Sequence, residues 1–364
     1  MLASLVRPIR VQPYFGYRNE ARLSLTARAL RSAAREFAGS GRWQAFRTLL
    51  GQFLSREVAG LRVQLEVAGA AGSEWFDAIT DEEGFIEFDV PLSAPCPLPG
   101  RTTWEVAVLH WEDRRGPHCA DAFILAPGAE TRLAVISDID DTIIETGITG
   151  GIRSLARNWR RVLAELPEER LLVPGADLFY SALGGGTVLP EGAGHAGERQ
   201  PAARNPFFYI SSSPWNLFSY LVAFQRGRGL PLGPLALRDW DFSRETLGSG
   251  GHGPHKEAAI ARLFDSYPQL SFALAGDDTQ ADLLAFAATV RHYGKRVRAV
   301  FVRQAGEPLN PEEERAAADI RAAGVPLWLG QDYSTTAAFL AETGLSGEHD
   351  AAKVVQAVAH QEVG

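Results

Sequence analysis

Cysteine is scarce in this sequence, which contains only Cys96 and Cys119 among 364 residues. Two thiols are too few for a disulfide framework, and their spacing matches no metal-binding motif. Residues 1–14 contain no apolar stretch long enough for a signal peptide. No window approaches the roughly 20 apolar residues of a membrane-spanning helix. We therefore expect a cytoplasmic protein with two unpaired thiols.

Positive charge is also in short supply, since 36 basic residues against 44 acidic ones give a formal net charge of −8. Proteins that bind nucleic acid in general are usually basic. We therefore expect no nucleic-acid partner. Any attraction to an anionic lipid surface has to come from a local basic patch.

The first third of the chain has the period-two alternation of half-buried strands. Four segments are predicted as strands: 61–68, 85–90, 102–111 and 121–126. One amphipathic helix is predicted at 41–58. Residues 1–127 are therefore predicted to form a mainly β, sandwich-like domain with one helix and without catalytic residues.

From residue 128 onward, the apolar segments are continuous and alternate with helical segments. Segments that are apolar on both faces are typical of parallel strands covered on both sides. Six are predicted as strands: 132–137, 207–211, 234–239, 270–276, 297–302 and 325–330. The alternation predicts a doubly wound α/β domain over residues 128–345. Residues 184–206 are predicted to form a loop and residues 346–364 a helical tail.

Three carboxylates, Asp138, Asp140 and Asp141, follow the first of these parallel strands in the segment SDIDDTIIETG. Ligands of such sheets bind at the carboxyl ends of the strands, and crowded acids repel one another unless a cation is present. An EF-hand calcium loop is excluded, because Ile143 and Thr149 stand where it needs Gly and Glu. A helix cap with surface acids remains an alternative, although one Asp suffices for a cap.

Other strand ends carry groups that complete a metal–phosphate site. Hydroxyl groups follow the second parallel strand and precede a helix: Ser211, Ser212 and Ser213. That arrangement is typical of a phosphate seat. Lys256 begins a later helix, and a second set of acids follows the fourth strand: Asp277, Asp278 and Asp282. Carboxylates typically hold Mg²⁺ together with substrate phosphate and water.

In this order, the motifs resemble those of the haloacid-dehalogenase-like (HAD) phosphatases. The pattern is Asp-x-Asp-x-Thr, Ser after a strand, Lys, and Gly-Asp with a second Asp five residues on. Here it is formed by Asp138, Asp140, Thr142, Ser211, Lys256, Asp277 and Asp282. The segments YISSSPWNLF, GPHKEAAIARLF and LAGDDTQADLLAF are further similar to the actin-patch-associated phosphatidate phosphatases and their bacterial relatives, which share the lipin-like DxDxT motif. One departure is that Asp278 and Thr279 stand where that family more often has Ser-Gly.

The resemblance implies a Mg²⁺-dependent phosphatase that works through an aspartyl-phosphate. Asp138 would be the nucleophile, Asp140 the general acid and base, and Lys256 the cation that offsets phosphate charge. Asp141 is interpreted as a helix-cap or neighbouring acid. Substrate is expected at Thr142, Ser211, Ser212 and Arg238, and Mg²⁺ at Asp138, Asp140, Asp277, Asp278 and Asp282. Arg238, at a strand end, is equally well explained as an ion-pair partner of Asp239 or Asp241.

Residues 152–166 are predicted to form a basic amphipathic helix. Ile152, Leu155, Trp159, Val162 and Leu166 share one face, and Arg153, Arg157, Arg160 and Arg161 share the adjacent one. Such a helix can lie on an anionic membrane, or it can pack on the core with a solvated basic face. The membrane alternative fits a phospholipid substrate and a protein peripheral to the membrane.

Three functions are compatible with these patterns. The preferred one is hydrolysis of a lipid phosphate, phosphatidate, to diacylglycerol. The second is the same chemistry on a soluble or nucleic-acid-end phosphomonoester. The third is a non-catalytic binding protein that acts through the β domain.

Overall fold

The computed structural model of the chain describes residues 8–31, 56–69, 72–93, 96–139, 142–143, 172–184, 196–238, 252–278, 281–304 and 308–345. The chain divides into two compact units. Unit 1 comprises Met1–Glu130, Val188–Ala202 and Phe218–Tyr220, and unit 2 comprises Thr131–Thr187, Ala203–Leu217 and Leu221–Gly364. The tail predicted at 346–364 lies outside the described residues.

Unit 1 is mainly β, as the alternation predicted. Its strands before residue 127 are β1 (Ile9–Pro13), β2 (Gly16–Arg18), β3 (Arg22–Arg31), β4 (Arg56–Glu57), β5 (Arg62–Gly69), β6 (Gly72–Ile79), β7 (Phe85–Pro91), β8 (Thr103–Asp113) and β9 (Gly116–Ala126). The hydrogen-bonded order is β1-β3-β2-β9-β8-β5-β6, with β4 and β7 also paired to β3. Strand β2 runs parallel to β9, while β3 is antiparallel to β1, β2, β4 and β7.

The core of unit 1 follows from alternating side chains. In β5, Val63 and Leu65 are buried, whereas the intervening Gln64 is only half-buried. Strand β3 was not predicted, although its Leu23 and Leu25 are buried in the same way. Ala and Arg, which are good helix formers, make up much of β3 and obscure its period-two pattern.

The helix predicted at 41–58 is wrong at its C-terminal end. Arg56–Glu57 form strand β4, which pairs antiparallel with Leu30 and Arg31 of β3. Pairing with a long neighbouring strand supplies backbone hydrogen bonds that override a weak local helix preference. Residues 32–55 lie outside the described residues.

Unit 2 contains a parallel sheet. Its strands are β10 (Leu133–Ser137), β12 (Phe207–Pro214), β13 (Leu235–Arg238), β14 (Ser271–Asp277), β15 (Val297–Arg303) and β16 (Leu327–Gly330). The order is β13-β12-β10-β14-β15-β16, and each neighbouring pair is parallel. All six strands predicted from continuous apolar segments are therefore confirmed.

The strand order reverses at β10. After β10 the chain adds β12 and β13 on one side of it, and then β14, β15 and β16 on the other. In open parallel sheets, ligands bind at the carboxyl ends of the strands beside such a reversal. The residues that follow β10, β12 and β14 are therefore expected to form the ligand-binding site.

The described helices are α1 (Ala176–Gly184), α2 (Phe218–Gly227), α3 (His252–Ser266), α4 (Asp282–Tyr293), α5 (Pro311–Ala322) and α6 (Thr336–Glu342). Short 3-10 helices precede α2 and α6 and follow α4. None of the helices in the described ranges is long and apolar enough to cross a membrane.

The segment 184–206 is not entirely the loop that its Gly and Pro content predicted. Strand β11 (Arg199–Pro201) belongs to unit 1, where it pairs antiparallel with Thr103–Glu105 of β8. The Nε of Arg199 donates a hydrogen bond to Glu105 at 3.1 Å. Strand β11 is extended because it pairs with β8, and the Gly and Pro content of the segment did not reveal this pairing.

Candidate active site

The carboxyl ends of three neighbouring strands bring polar side chains together. Asp138 directly follows β10, and its main-chain N–H donates to the Ala275 oxygen of β14 at 2.9 Å. Asp277 is the last residue of β14. On the other side of β10, Ser137 pairs with Tyr209 of β12, so Ser211 lies two residues further along that strand. The predicted meeting of strand ends is present.

Three carboxylates from this edge form a compact cluster. Asp138, Asp277 and Asp282 each offer an oxygen, and these oxygens lie within 4.8 Å of one another. All three residues are buried, with 3%, 0% and 0% of their surface exposed. Buried like charges disfavour one another strongly. The cluster therefore requires positive charge close by.

Lys256 of α3 supplies part of that charge. Its Nζ contacts Oδ1 of Asp282 and lies 3.4 Å from Oδ2 of Asp138. Burial by itself would lower the pKa of Lys256, but the negative charges of Asp138, Asp282 and Asp277 outweigh it and raise the pKa. The lysine is therefore charged, and one ammonium faces three carboxylates.

Asp277, at the end of β14, and Asp282, at the start of α4, have different surroundings. Oδ1 of Asp282 pairs with Lys256, and its Oδ2 accepts the main-chain N–H of Asp277 at 3.2 Å. Oδ2 of Asp277 accepts the hydroxyl of Thr142 at 3.1 Å. Both oxygens of Asp282 are thus engaged by the protein, and Thr142 orients Asp277.

The turn between β14 and α4 makes this arrangement possible. Ala281, which precedes α4, adopts the left-handed conformation (φ 64°, ψ 20°) that an alanine rarely takes. Gly276 allows the returning Asp282 to approach, because a Cβ at Gly276 would lie only 2.8 Å from the Cβ of Asp282. The turn therefore points Asp282 back toward the strand end.

Strand β12 is irregular where its serines lie. The pairing of β12 with β13 shifts register between Ile210 and Pro214. Within this bulge, the N–H of Ser213 donates to the hydroxyl oxygen of Ser211 at 2.9 Å, and both serines are buried. Bulges redirect side chains and are frequent beside active sites. The irregularity sets the direction of the Ser211 hydroxyl.

The remaining predicted site residues fall into two groups. Asp278 is half-buried, and its N–H donates to the Arg303 oxygen at 3.1 Å. Within the described residues, Asp278 is not part of the cluster of three acids. Outside the described residues lie Asp140, Asp141, the side chains of Ser212 and Arg238, and the helix predicted at 152–166.

Two residues that support the main chain of Asp138, Ser137 and Tyr180, were not predicted from the sequence. The hydroxyl of Ser137 donates to the main-chain oxygen of Asp138 at 2.6 Å, and it lies 2.6 Å from the Tyr180 hydroxyl of α1. Ser137 did leave a signal, since it is a polar residue at the end of an apolar strand. Tyr180 left none, because it lies on a helix far along the chain.

The donor set is chemically suited to Mg²⁺. Hard cations prefer carboxylate oxygens, and Mg²⁺ usually takes one or two of them and keeps several waters. All three acids of the cluster could contribute an oxygen to a cation. The oxygens of Asp282 also contact Lys256 and the main-chain N–H of Asp277. A divalent cation would also balance the charge that Lys256 leaves uncompensated.

Comparisons with known proteins agree with this chemistry. Residues 133–304 match the family model described as "Phosphatidate phosphatase APP1, catalytic domain". Phosphatidate phosphatase APP1 of Saccharomyces cerevisiae is 28% identical over 171 residues, which cover 47% of this chain and 26% of the yeast protein. The chain thus spans about a quarter of that relative's length. The matched segment contains the whole cluster of acids and Lys256, and the similarity is in line with the predicted phosphoric monoester hydrolase.

Solved structures add nothing to this conclusion. A β-glucuronidase of Bacteroides uniformis is 10% identical, with a TM-score of 0.22 over 88% of this chain and 39% of its own. A β-glucuronidase of Bifidobacterium dentium complexed with coumarin-3-O-glucuronide is 9% identical, with a TM-score of 0.21 over 89% of this chain and 60% of its own. TM-scores this low do not indicate a shared fold, and nothing about function follows from them.

Proposed function

We propose that this chain is a Mg²⁺-dependent phosphatase that hydrolyses a phosphomonoester, with phosphatidate as substrate and diacylglycerol as product. The observation that carries the proposal is the buried group of Asp138, Asp277 and Lys256 at the carboxyl edge of a parallel sheet. The similarity of residues 133–304 to a phosphatidate phosphatase catalytic domain supports the choice of substrate.

The fold that we propose for unit 2 is a doubly wound sheet of the HAD type. The reversal of strand order at β10 supports it, as does the Asp-x-Asp-x-Thr sequence directly after that strand. In this arrangement the first Asp of the motif stands at the switch point, where substrate is bound.

Asp138 is the proposed nucleophile. A carboxylate oxygen of Asp138 attacks phosphorus, the new O–P bond forms, and the bond from phosphorus to the substrate alkoxide breaks. Asp140, which lies outside the described residues, donates its proton to the leaving alkoxide. In the second step Asp140 takes a proton from water, the water oxygen bonds to phosphorus, the bond from phosphorus to Asp138 breaks, and inorganic phosphate leaves. Dividing one difficult displacement into two easier steps is the gain from covalent catalysis.

Lys256 is the proposed electrostatic partner of the transferring phosphoryl group. A carboxylate and a phosphate repel each other, and a fixed ammonium in a water-poor site offsets this repulsion. Asp282 holds Lys256 in place through its Oδ1, and Oδ2 of Asp138 lies 3.4 Å from the same ammonium. When bound by Asp138 and Asp277, Mg²⁺ would supply further neutralisation of phosphate charge.

Substrate contacts are proposed for Ser211, Ser212 and Arg238, and supporting roles for Thr142 and Asp278. The buried Ser211 hydroxyl would bind a phosphoryl oxygen, with Ser212 and Arg238 beside it at the strand ends. Thr142 acts through Asp277, whose carboxylate it orients. Asp278 lies next to Asp277 and is proposed as an outer acid of the metal site.

Phosphatidate resides in membranes, so the enzyme must reach a lipid surface. We assign this contact to the basic amphipathic helix predicted at 152–166, which lies outside the described residues. The protein would then bind the membrane peripherally.

A substrate panel tests the proposal with the full chain. Phosphate release would be measured from phosphatidate in mixed micelles and from soluble sugar and nucleotide phosphates, each with Mg²⁺ and with EDTA. The expected result is Mg²⁺-dependent release from phosphatidate, which Asp138→Asn abolishes. The matched control is Asp319→Asn, which changes an exposed acid of α5 and should leave the rate unchanged.

Two outcomes would select the alternatives. Release from soluble esters without release from phosphatidate would favour the soluble-substrate phosphatase. No release from any ester, together with a fold that unfolds identically with and without Mg²⁺, would favour the non-catalytic binding protein.

A further inference from the structure

Two buried hydroxyl groups, those of Ser137 and Tyr180, are linked by hydrogen bonds to the main-chain oxygen of Asp138. Ser137 is the last residue of β10 and Tyr180 lies in α1, and both are 0% exposed. The Ser137 oxygen lies 2.6 Å from the Tyr180 hydroxyl and 2.6 Å from the main-chain oxygen of Asp138. Water does not reach these groups, so the hydrogen bonds between them decide their orientation.

The direction of these hydrogen bonds follows from counting protons. A serine hydroxyl carries a single proton. Because Ser137 donates its proton to the Asp138 oxygen, it can only accept from Tyr180. Burial is the main influence that raises the pKa of Tyr180, so the phenol keeps the proton that it donates. The donors therefore run from Tyr180 to Ser137 to Asp138.

The main chain of Asp138 is fixed on both sides as a result. Its N–H donates to Ala275 of β14 at 2.9 Å, and its carbonyl accepts from Ser137. The side chain leaves the backbone between these two peptide groups. Their orientation consequently sets the direction in which the carboxylate points, toward Lys256 at 3.4 Å.

We propose that Tyr180 and Ser137 are positioning residues that aim the Asp138 carboxylate at phosphorus. The inference rests on the proposed function, because it takes Asp138 as the nucleophile. Neither hydroxyl touches the reacting atoms. A misplacement of about 1 Å can cost about 100-fold in rate. Loss of the hydroxyl chain should therefore lower kcat and leave substrate binding nearly unchanged.

The test is the steady-state kinetics of Tyr180→Phe, which removes the donor and keeps the ring. We expect kcat to fall about tenfold or more, while KM stays within about twofold. The pH profile should keep its shape, because Tyr180 transfers no proton to substrate. Ser137→Ala should act in the same way, and the double variant should be no slower than Ser137→Ala, as expected for residues that act as a unit.

Tyr209→Phe is the matched control. Tyr209 lies in β12 of the same unit, is 1% exposed, and donates a hydrogen bond to the Pro231 oxygen at 2.7 Å. Removal of its hydroxyl deletes a comparable buried hydrogen bond away from Asp138. Both Tyr variants should lower Tm to a similar extent, and only Tyr180→Phe should lower kcat.

The outcomes separate this inference from the proposed function. An active wild type with an unchanged kcat in Tyr180→Phe would overturn the positioning role alone, and so would an equal loss of kcat in Tyr209→Phe. If Tyr180→Phe does not fold, Ser137→Ala decides the question, since it removes a single oxygen. A wild type without phosphatase activity would overturn the proposed function and this inference with it.

Discussion

Lys256 and Asp282 form a buried ion pair in which the ammonium contacts Oδ1 of the carboxylate. The second oxygen of Asp282 accepts the main-chain N–H of Asp277 at 3.2 Å. Asp282 thus connects helix α3, which carries the lysine, to the last residue of β14. Asp282 holds the cation and the neighbouring acid in place, and Oδ2 of Asp138 lies 3.4 Å from the same ammonium.

Asp282→Asn should be destabilising because it removes the carboxylate that Lys256 contacts directly. Breaking a buried pair costs about 3–5 kcal/mol when the remaining charge is left unpaired, and the loss here should be smaller because Lys256 keeps Asp138 at 3.4 Å. Urea unfolding measures the loss. The control is Asp319→Asn, which removes an exposed pair with Arg291 at 3.8 Å and should leave the midpoint unchanged. Equal midpoints for wild type and Asp282→Asn would contradict the account.

Gly276→Ala should impair activity through the position of Asp282. An added Cβ would lie 2.8 Å from the Cβ of Asp282, so the acid must shift and Lys256 must shift with it. We expect kcat to fall about tenfold or more, as typical for a displaced catalytic group. Gly294→Ala is the control, because a Cβ there meets no atom within 4 Å. If both variants kept full activity, the close approach at Gly276 would have no functional role.

Under the proposed function, the acid cluster should make the thermal stability of the fold dependent on Mg²⁺. A ligand that binds only the folded state stabilises it by about 2.7 kcal/mol at a concentration of 100 times Kd. Thermal unfolding of the wild type should shift upward in a Mg²⁺ titration and return with EDTA. Asp277→Asn should remove most of this shift, whatever its effect on Tm without metal. A shift of the same size in Asp277→Asn would place the ion elsewhere.

Unit 1 should show an acid transition that depends on Asp113. A hydrogen bond from His118, together with the main-chain N–H groups of Arg115 and Ile9, lowers the pKa of Asp113 from 3.8 to about 2. A lowered pKa gives stability that is present above 3.8 and is lost as the pH falls through about 2. Asp113→Asn should therefore unfold with a weaker pH dependence in this window. Identical acid titrations of the two proteins would contradict this.

The parallel sheet could be predicted because its physical signal is simple. Strands buried on both faces need continuous apolar segments, and all six of these were recognised. The placement of Asp138, Ser211 and Asp277 at one edge of the sheet also followed from the sequence, since parallel strands present their carboxyl ends at one edge. Lys256, which lies on a helix, was expected there from the order of the motifs. Strand β3 was missed because Ala and Arg favour helices intrinsically, and only pairing with β1 and β7 makes the segment extended.

The supporting contacts of the site could not be predicted. Asp282 was expected to bind metal, and nothing in the sequence shows that both its oxygens are engaged by Lys256 and by a main-chain N–H. The importance of Gly276 depends on a close approach that only the folded turn creates. Tyr180 reaches Ser137 across 43 positions of sequence, and no local pattern encodes such a contact.

Trapping of the phosphoryl group tests the central claim, that Asp138 is the nucleophile, most directly. The full chain would be mixed with radiolabelled phosphatidate, quenched in acid and digested, and the labelled peptide would be sequenced. The account predicts a hydroxylamine-sensitive label on Asp138, absent from Asp138→Asn. Label on another residue, or phosphate release by Asp138→Asn at the wild-type rate, would contradict it.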